Sequence, residues 1–171
     1  MSVESNVNVN PMIEMLLRSI FPAQRVIVTS GYGYRKWDNK FHSGLDLTFY
    51  EAYGYPHKRK RGRMVLHKGN IDKIDMLLAP DGLAGFMVTV MYRWYQQVYK
   101  LIAMHINGFA ELREYIVLFE GGIPKFITTG ASSGPHIHFA ILDGQGKFVI
   151  PHTSLIMRNG ELERPIQLFK L

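Results

Sequence analysis

A Gly-Pro turn runs straight into His136-Ile-His-Phe-Ala-Ile141, and this short stretch constrains the fold more than any other in the chain. The apolar run after Pro135 predicts a buried or half-buried strand opening at that proline. Residues two apart on a strand point to the same face, so His136 and His138 project together, about 7 Å apart along the backbone. That spacing suits one metal ligand with a second group beside it. Two solvated histidines at a sheet edge are the plain alternative, and a pattern as short as His-x-His does not choose between them. Partners elsewhere in the chain must decide.

Any metal here is held by His, Asp or Glu, because the 171 residues include no cysteine. The same absence excludes a disulfide framework and a thiolate zinc site. A hydrophobic fraction of 47% excludes wholesale disorder, and the length suits one domain with a sizeable core. Residues 1–10, polar and Asn-rich, read as an arm or linker, and 11–171 as a single domain. The net charge of +6 favours a polyanionic partner. Much of it sits in His57-Lys-Arg-Lys-Arg-Gly-Arg63, a run without aromatic interleaving or an accompanying nucleic-acid motif, so no nucleic-acid partner is expected. No apolar run reaches transmembrane length, and no secretory signal is visible.

Taken in order, Ile13, Leu16, Leu17 and Ile20 recur at helical spacing between Pro11 and Pro22, predicting a short packing helix. Strands are predicted at Arg25–Thr29, Leu45–Phe49, Gly62–Leu66 and Ile74–Leu78. The alternating runs Phe86–Tyr92 and Gln97–Met104 predict an antiparallel hairpin. Ser30–Arg35 reads as a glycine-containing loop, Ala110–Glu114 as helical and Tyr115–Phe119 as β. Asp143-Gly-Gln-Gly146 predicts a turn into Lys147–Ile150, and Asn159-Gly160 another turn.

Two places supply partners for the two histidines: residues 42–46 and His105. His42 and Asp46 stand four apart, with Gly44 between them expected to let the backbone turn. A carboxylate among Leu45, Leu47 and Phe49 is costly unless paired or bound to a cation. His105 closes the second hairpin strand, just before Asn107-Gly108, and strand ends often carry functional groups. His57, His67 and His152 have no visible role. Three N/O ligands, an open position and nearby imidazoles are what a catalytic zinc site requires.

In order and surroundings these residues closely resemble the lysostaphin/LytM-type zinc metallopeptidases of bacterial peptidoglycan. The opening signature is similar to Ser30-Gly-Tyr-Gly-Tyr-Arg35 followed by Phe41-His-Ser-Gly-Leu-Asp46. The middle motif is similar to Ile102-Ala-Met-His-Ile106, and the closing one to Thr129-Gly-Ala-Ser-Ser-Gly-Pro-His-Ile-His-Phe139. The resemblance spans roughly residues 25–151. It departs where Ala103 replaces the expected tyrosine, where the hairpin around Arg93-Trp94 replaces a Gly-rich strand, and in a longer, more basic segment 50–85.

The resemblance implies a mainly β fold, an antiparallel sheet with a groove across it, here preceded by the short helix. It implies Zn2+ held by His42, Asp46 and His138, with His105 and His136 catalytic. Tyr32, Tyr34 and Trp94 are candidate groove aromatics, with core packing the equal alternative for each. The implied activity is endopeptidase cleavage of stem-peptide or cross-bridge amides, and the expected setting is a phage tail or virion, with other virion proteins as partners, or a larger exported protein. A non-catalytic wall-binding or assembly module is the alternative.

Overall fold

The computed structural model describes residues 11–21, 26–30, 33–35, 39–49, 62–79, 85–121, 136–149 and 166–169. Helix α1 (Pro11–Ile20) starts on its proline, whose missing N–H is no loss at that position. Its apolar stripe of Ile13, Leu16, Leu17 and Ile20 is buried. A ten-residue helix is marginal alone, so that burial, roughly 1.5–3 kcal/mol per side chain, is what holds it. Phe21, just beyond, meets Phe139 edge-on at 5.5 Å.

Apart from a 3-10 turn at Lys68–Asn70, the other elements among the described residues are antiparallel β-strands, as expected of the mainly β class. Strands β1 (Val26–Ser30), β2 (Gly33–Arg35), β3 (Lys40–His42), β4 (Leu45–Phe49), β5 (Arg63–His67) and β6 (Ile71–Ala79) come first. They are followed by β7 (Gly85–Trp94), β8 (Gln97–Met104), β9 (Ile106–Glu111), β10 (Tyr115–Glu120), β11 (Ile137–Leu142) and β12 (Ile166–Phe169). Seven strands form one sheet in the order β12-β1-β4-β11-β8-β7-β6. β5-β10-β9 make a second sheet and β2-β3 a two-stranded ribbon.

The period-2 alternation of β4, β8 and β11 divides core from site. Leu45 and Leu47, Leu101 and Ala103, and Ile137 and Phe139 enter one buried cluster with α1. Asp46, Met104 and His138 occupy the intervening positions, and register sets them side by side: His138 pairs with Asp46 on β4 and with Met104 on β8. Residues directly opposite in a ladder share a face, so strand pairing alone brings the carboxylate to the second His of the motif.

Three expectations are corrected. Ser30–Arg35 is not wholly loop, since Gly33–Arg35 forms β2 and pairs with β3. Ala110–Glu114 is not helical: Ala110 and Glu111 end β9, paired with Val117 and Ile116. Helix propensity is a weak preference, and the ladder offered by β10 overrides it. Asn107-Gly108 likewise lies inside β9. The Asp143–Gly146 turn forms, its Asp143 Oδ1 accepting the N–H groups of Gln145 and Lys147. Beyond it, among the described residues, Phe148 forms an isolated bridge to Leu142 and Val149 donates its N–H to the Ile141 carbonyl at 2.8 Å. Asn159-Gly160, His57, His152 and residues 1–10 lie outside the described residues. No helix among the described residues is long and apolar enough to cross a membrane.

Candidate metal centre

His42 ends β3, and the chain bends through Ser43-Gly44 before Asp46 enters β4. That bend lets His42 reach back over the sheet. His42 Nε2 lies 3.0 Å from His138 Nδ1 and 3.2 Å from Asp46 Oδ1, and His138 Nδ1 is 3.2 Å from the same oxygen. One atom from each residue therefore faces a common point. Hydrogen bonds cannot satisfy all three edges of so small a triangle, because an N–H aimed along one edge points away from the others. A cation at the common point engages all three. Tetrahedral zinc, with bonds of about 2.0–2.1 Å to nitrogen and oxygen, spaces its ligands about 3.3 Å apart. The donor set and its spacing fit, so these three side chains can hold a metal ion.

The electrostatics agree. Burial pushes the Asp46 carboxyl up, but hydrogen bonds from His138 and His42, with the charge of His42 and then His136, outweigh it. The carboxyl is held well below the usual carboxylate range and stays ionised far into acid. A depressed carboxyl stabilises the fold above its ordinary value of about 4, and the contribution is lost as pH falls through the lowered one.

Two further imidazoles lean on the triangle. His136 Nε2 is 3.6 Å from Asp46 Oδ1, its backbone fixed by an N–H donated to the Gly121 carbonyl at 3.0 Å. The His105 ring packs against it at a tilt of 58°, centroids 4.8 Å apart, and lies 6.3 Å from His138. His105 has φ +62°, a left-handed backbone that costs a non-glycine residue roughly 1–3 kcal/mol. The strain has a geometric result. In regular continuation of β8, residue 105 would share the core face of Leu101 and Ala103. The left-handed turn breaks that alternation, and the imidazole meets His136 instead.

The structure thus brings together His42, Asp46, His105, His136 and His138. Tyr34, expected in the groove, stands on β2 directly opposite Phe41, the residue before His42, and both are exposed (44% and 59%). A lone aromatic before a histidine carries no signal in sequence; the pairing of β2 with β3 is what sets Phe41 beside Tyr34. Trp94 is not brought to the site. It ends β7 at the far tip of the hairpin, on the order of 20 Å along β8 from Met104 by strand rise. There it packs against the core and donates its Nε1–H to the Met12 carbonyl at 3.1 Å. Tyr32 lies outside the described residues.

Fold and site define a class: a mainly antiparallel β protein in which two strands of the largest described sheet and the β2–β3 ribbon gather a His-Asp-His candidate metal site with two histidines beside it. Among solved structures the chain is similar to a mutant catalytic domain of the prophage-encoded M23 protein EnpA from Enterococcus faecalis. That likeness has 20% identity and a TM-score of 0.46, and covers 76% of this chain and 90% of the other. The chain is also similar to a zinc-containing peptidase from Vibrio cholerae, with 17% identity and a TM-score of 0.49, covering 77% of this chain and 37% of that one. It therefore spans well under half the length of the second protein. No protein-family model matches the chain, and no curated protein matches it.

Proposed function

We propose that the protein is a zinc endopeptidase that hydrolyses amide bonds in peptidoglycan stem peptides or cross-bridges. Delivery to the wall on a phage particle is part of the same proposal. The observation that carries the chemistry is the triangle of His42 Nε2, Asp46 Oδ1 and His138 Nδ1 with two non-ligand imidazoles beside it. When bound, zinc supplies Lewis acidity and makes water nucleophilic near neutral pH.

The chain's own residues handle the protons. His136, whose Nε2 is 3.6 Å from Asp46 Oδ1, takes the proton of the attacking water and delivers it to the leaving amine. His105, packed against His136, donates to the carbonyl oxygen as that atom gains charge, an interaction stronger in the transition state than in the substrate. The peptidoglycan assignment is supported by the closing sequence signature and by the net charge of +6, which favours approach to a polyanionic wall.

Mass spectrometry of purified peptidoglycan digested with and without a chelator tests the reading. New amino and carboxyl termini that vanish with chelation and return with zinc are expected. Binding to the wall with no bond cut would instead make this a non-catalytic module.

The exposed Tyr34–Phe41 pair, one residue from His42, is the proposed wall for the substrate peptide. Phe41→Ala should raise KM about five- to tenfold and leave kcat within about twofold, the pattern of lost uniform binding. An unchanged KM in steady-state assays would remove this surface from the site.

A further inference from the structure

Among the described residues the buried polar side chains are His42, His105, His138 and Glu120. Three belong to the candidate centre; Glu120, only 2% exposed, lies outside it. Its Oε1 accepts the Gly62 N–H at 2.7 Å, while its own N–H donates to the Gly62 carbonyl at 2.9 Å. This reciprocal clamp fastens the end of β10 to the residue that leads into β5.

Both non-ligand histidines are supported from that same end of β10. Ile106, the residue after His105, is the ladder partner of Glu120. His136 is held by its N–H on the carbonyl of Gly121, the residue after Glu120. The β9–β10 ladder is irregular between Leu118 and Glu120, so on that side regular pairing does not fix this end; on the other side the last pair of the β5–β10 ladder is Phe119 with Arg63, one residue short of the clamp. A buried carboxylate is a costly anchor where a shorter polar group or plain backbone pairing would close a sheet end, which points to a demand for rigidity there.

We propose that Glu120 is a positioning residue for the reaction. Through its clamp on Gly62 it sets the separation of His105 from His136, whose ring centroids are 4.8 Å apart. The kinetic part of this inference rests on the peptidase reading above; the geometric part does not.

The test compares Glu120→Leu, which fills the volume without an acceptor, with Glu120→Gln, which keeps Oε1. In zinc-loaded protein the nuclear Overhauser contact between the His105 and His136 rings should be present in wild type and Glu120→Gln and lost in Glu120→Leu. Zinc content should stay at that of wild type in all three. Turnover of Glu120→Leu should fall about 10- to 100-fold, the size of effect that a ~1 Å misplacement can cause, with Glu120→Gln within about threefold of wild type. If Glu120→Leu does not fold, Glu120→Asp, too short to reach Gly62, takes its place with the same expected losses. An intact ring contact in the variant lacking the side-chain half of the clamp overturns the proposal, as does a Glu120→Gln protein no better than Glu120→Leu. Wild type that cuts no peptide defeats the peptidase reading, while the ring contact still judges Glu120.

Discussion

Zinc-loaded His136→Ala should retain its metal and lose about 10²–10⁴-fold in kcat, the range ascribed to a positioned general acid–base. His105→Ala should retain metal as well and fall by about 10²–10³-fold, as when one donor to a developing oxyanion is removed. The basis is geometric. Neither ring supplies an atom to the His42–Asp46–His138 triangle, yet His136 Nε2 stands 3.6 Å from Asp46 Oδ1 and His105 packs against His136. Because the two rings touch and are assigned to one reaction sequence, the double variant should be little slower than His136→Ala alone. By contrast His42→Ala, Asp46→Ala or His138→Ala should lose metal together with activity. Metal analysis beside steady-state kinetics separates the two groups. Loss of zinc from His136→Ala would mean that the division between ligands and proton carriers is wrong.

Gly44→Ala should weaken zinc binding by about 10²-fold or more, the upper end of what neighbours of metal ligands contribute, without unfolding the protein. A Cβ at this position would lie 2.6 Å from the Phe139 carbonyl oxygen and 2.8 Å from His138 Nε2. Neither wall can yield cheaply. Phe139 is paired to Leu45 in the β4–β11 ladder, and the ring of His138 is held against His42 and Asp46 through its other nitrogen. The β3–β4 bend must move instead, which opens the triangle. Gly69→Ala, where an added Cβ meets nothing within 4 Å, is the control and should bind zinc as wild type does. Competition with a chromophoric chelator measures both affinities, and circular dichroism checks the fold. Wild-type affinity in Gly44→Ala would show that the close approach has no bearing on the metal.

Gly44 also illustrates how far sequence reasoning reaches. It was expected to be a glycine for the sake of a turn, but its φ is not among the positive ones. The requirement comes from β11, more than ninety residues away in the chain. Spacing between neighbours carries local conformation; it does not carry which distant backbone will press against them. For Trp94 the sequence leaves groove and core equally open for a related reason: an aromatic at a hairpin tip looks the same in sequence whether α1 or a substrate covers it. The error at Ala110–Glu114 was one of propensity, reversed by the strand that pairs with it.

What the sequence determined by itself is the identity of the chemical groups and the face on which several of them lie. The alternation of β11 put His136 and His138 opposite Ile137 and Phe139, and the apolar run around Asp46 marked that carboxylate as one needing a partner. Only the tertiary structure decided that they converge. The register of β4 against β11 set Asp46 beside His138, the β3–β4 bend returned His42 to them, and a left-handed residue turned His105 out of the core face. Alternation is a property of each strand alone. Convergence depends on contacts between strands far apart in the chain, whose free energy appears only when the sheet closes.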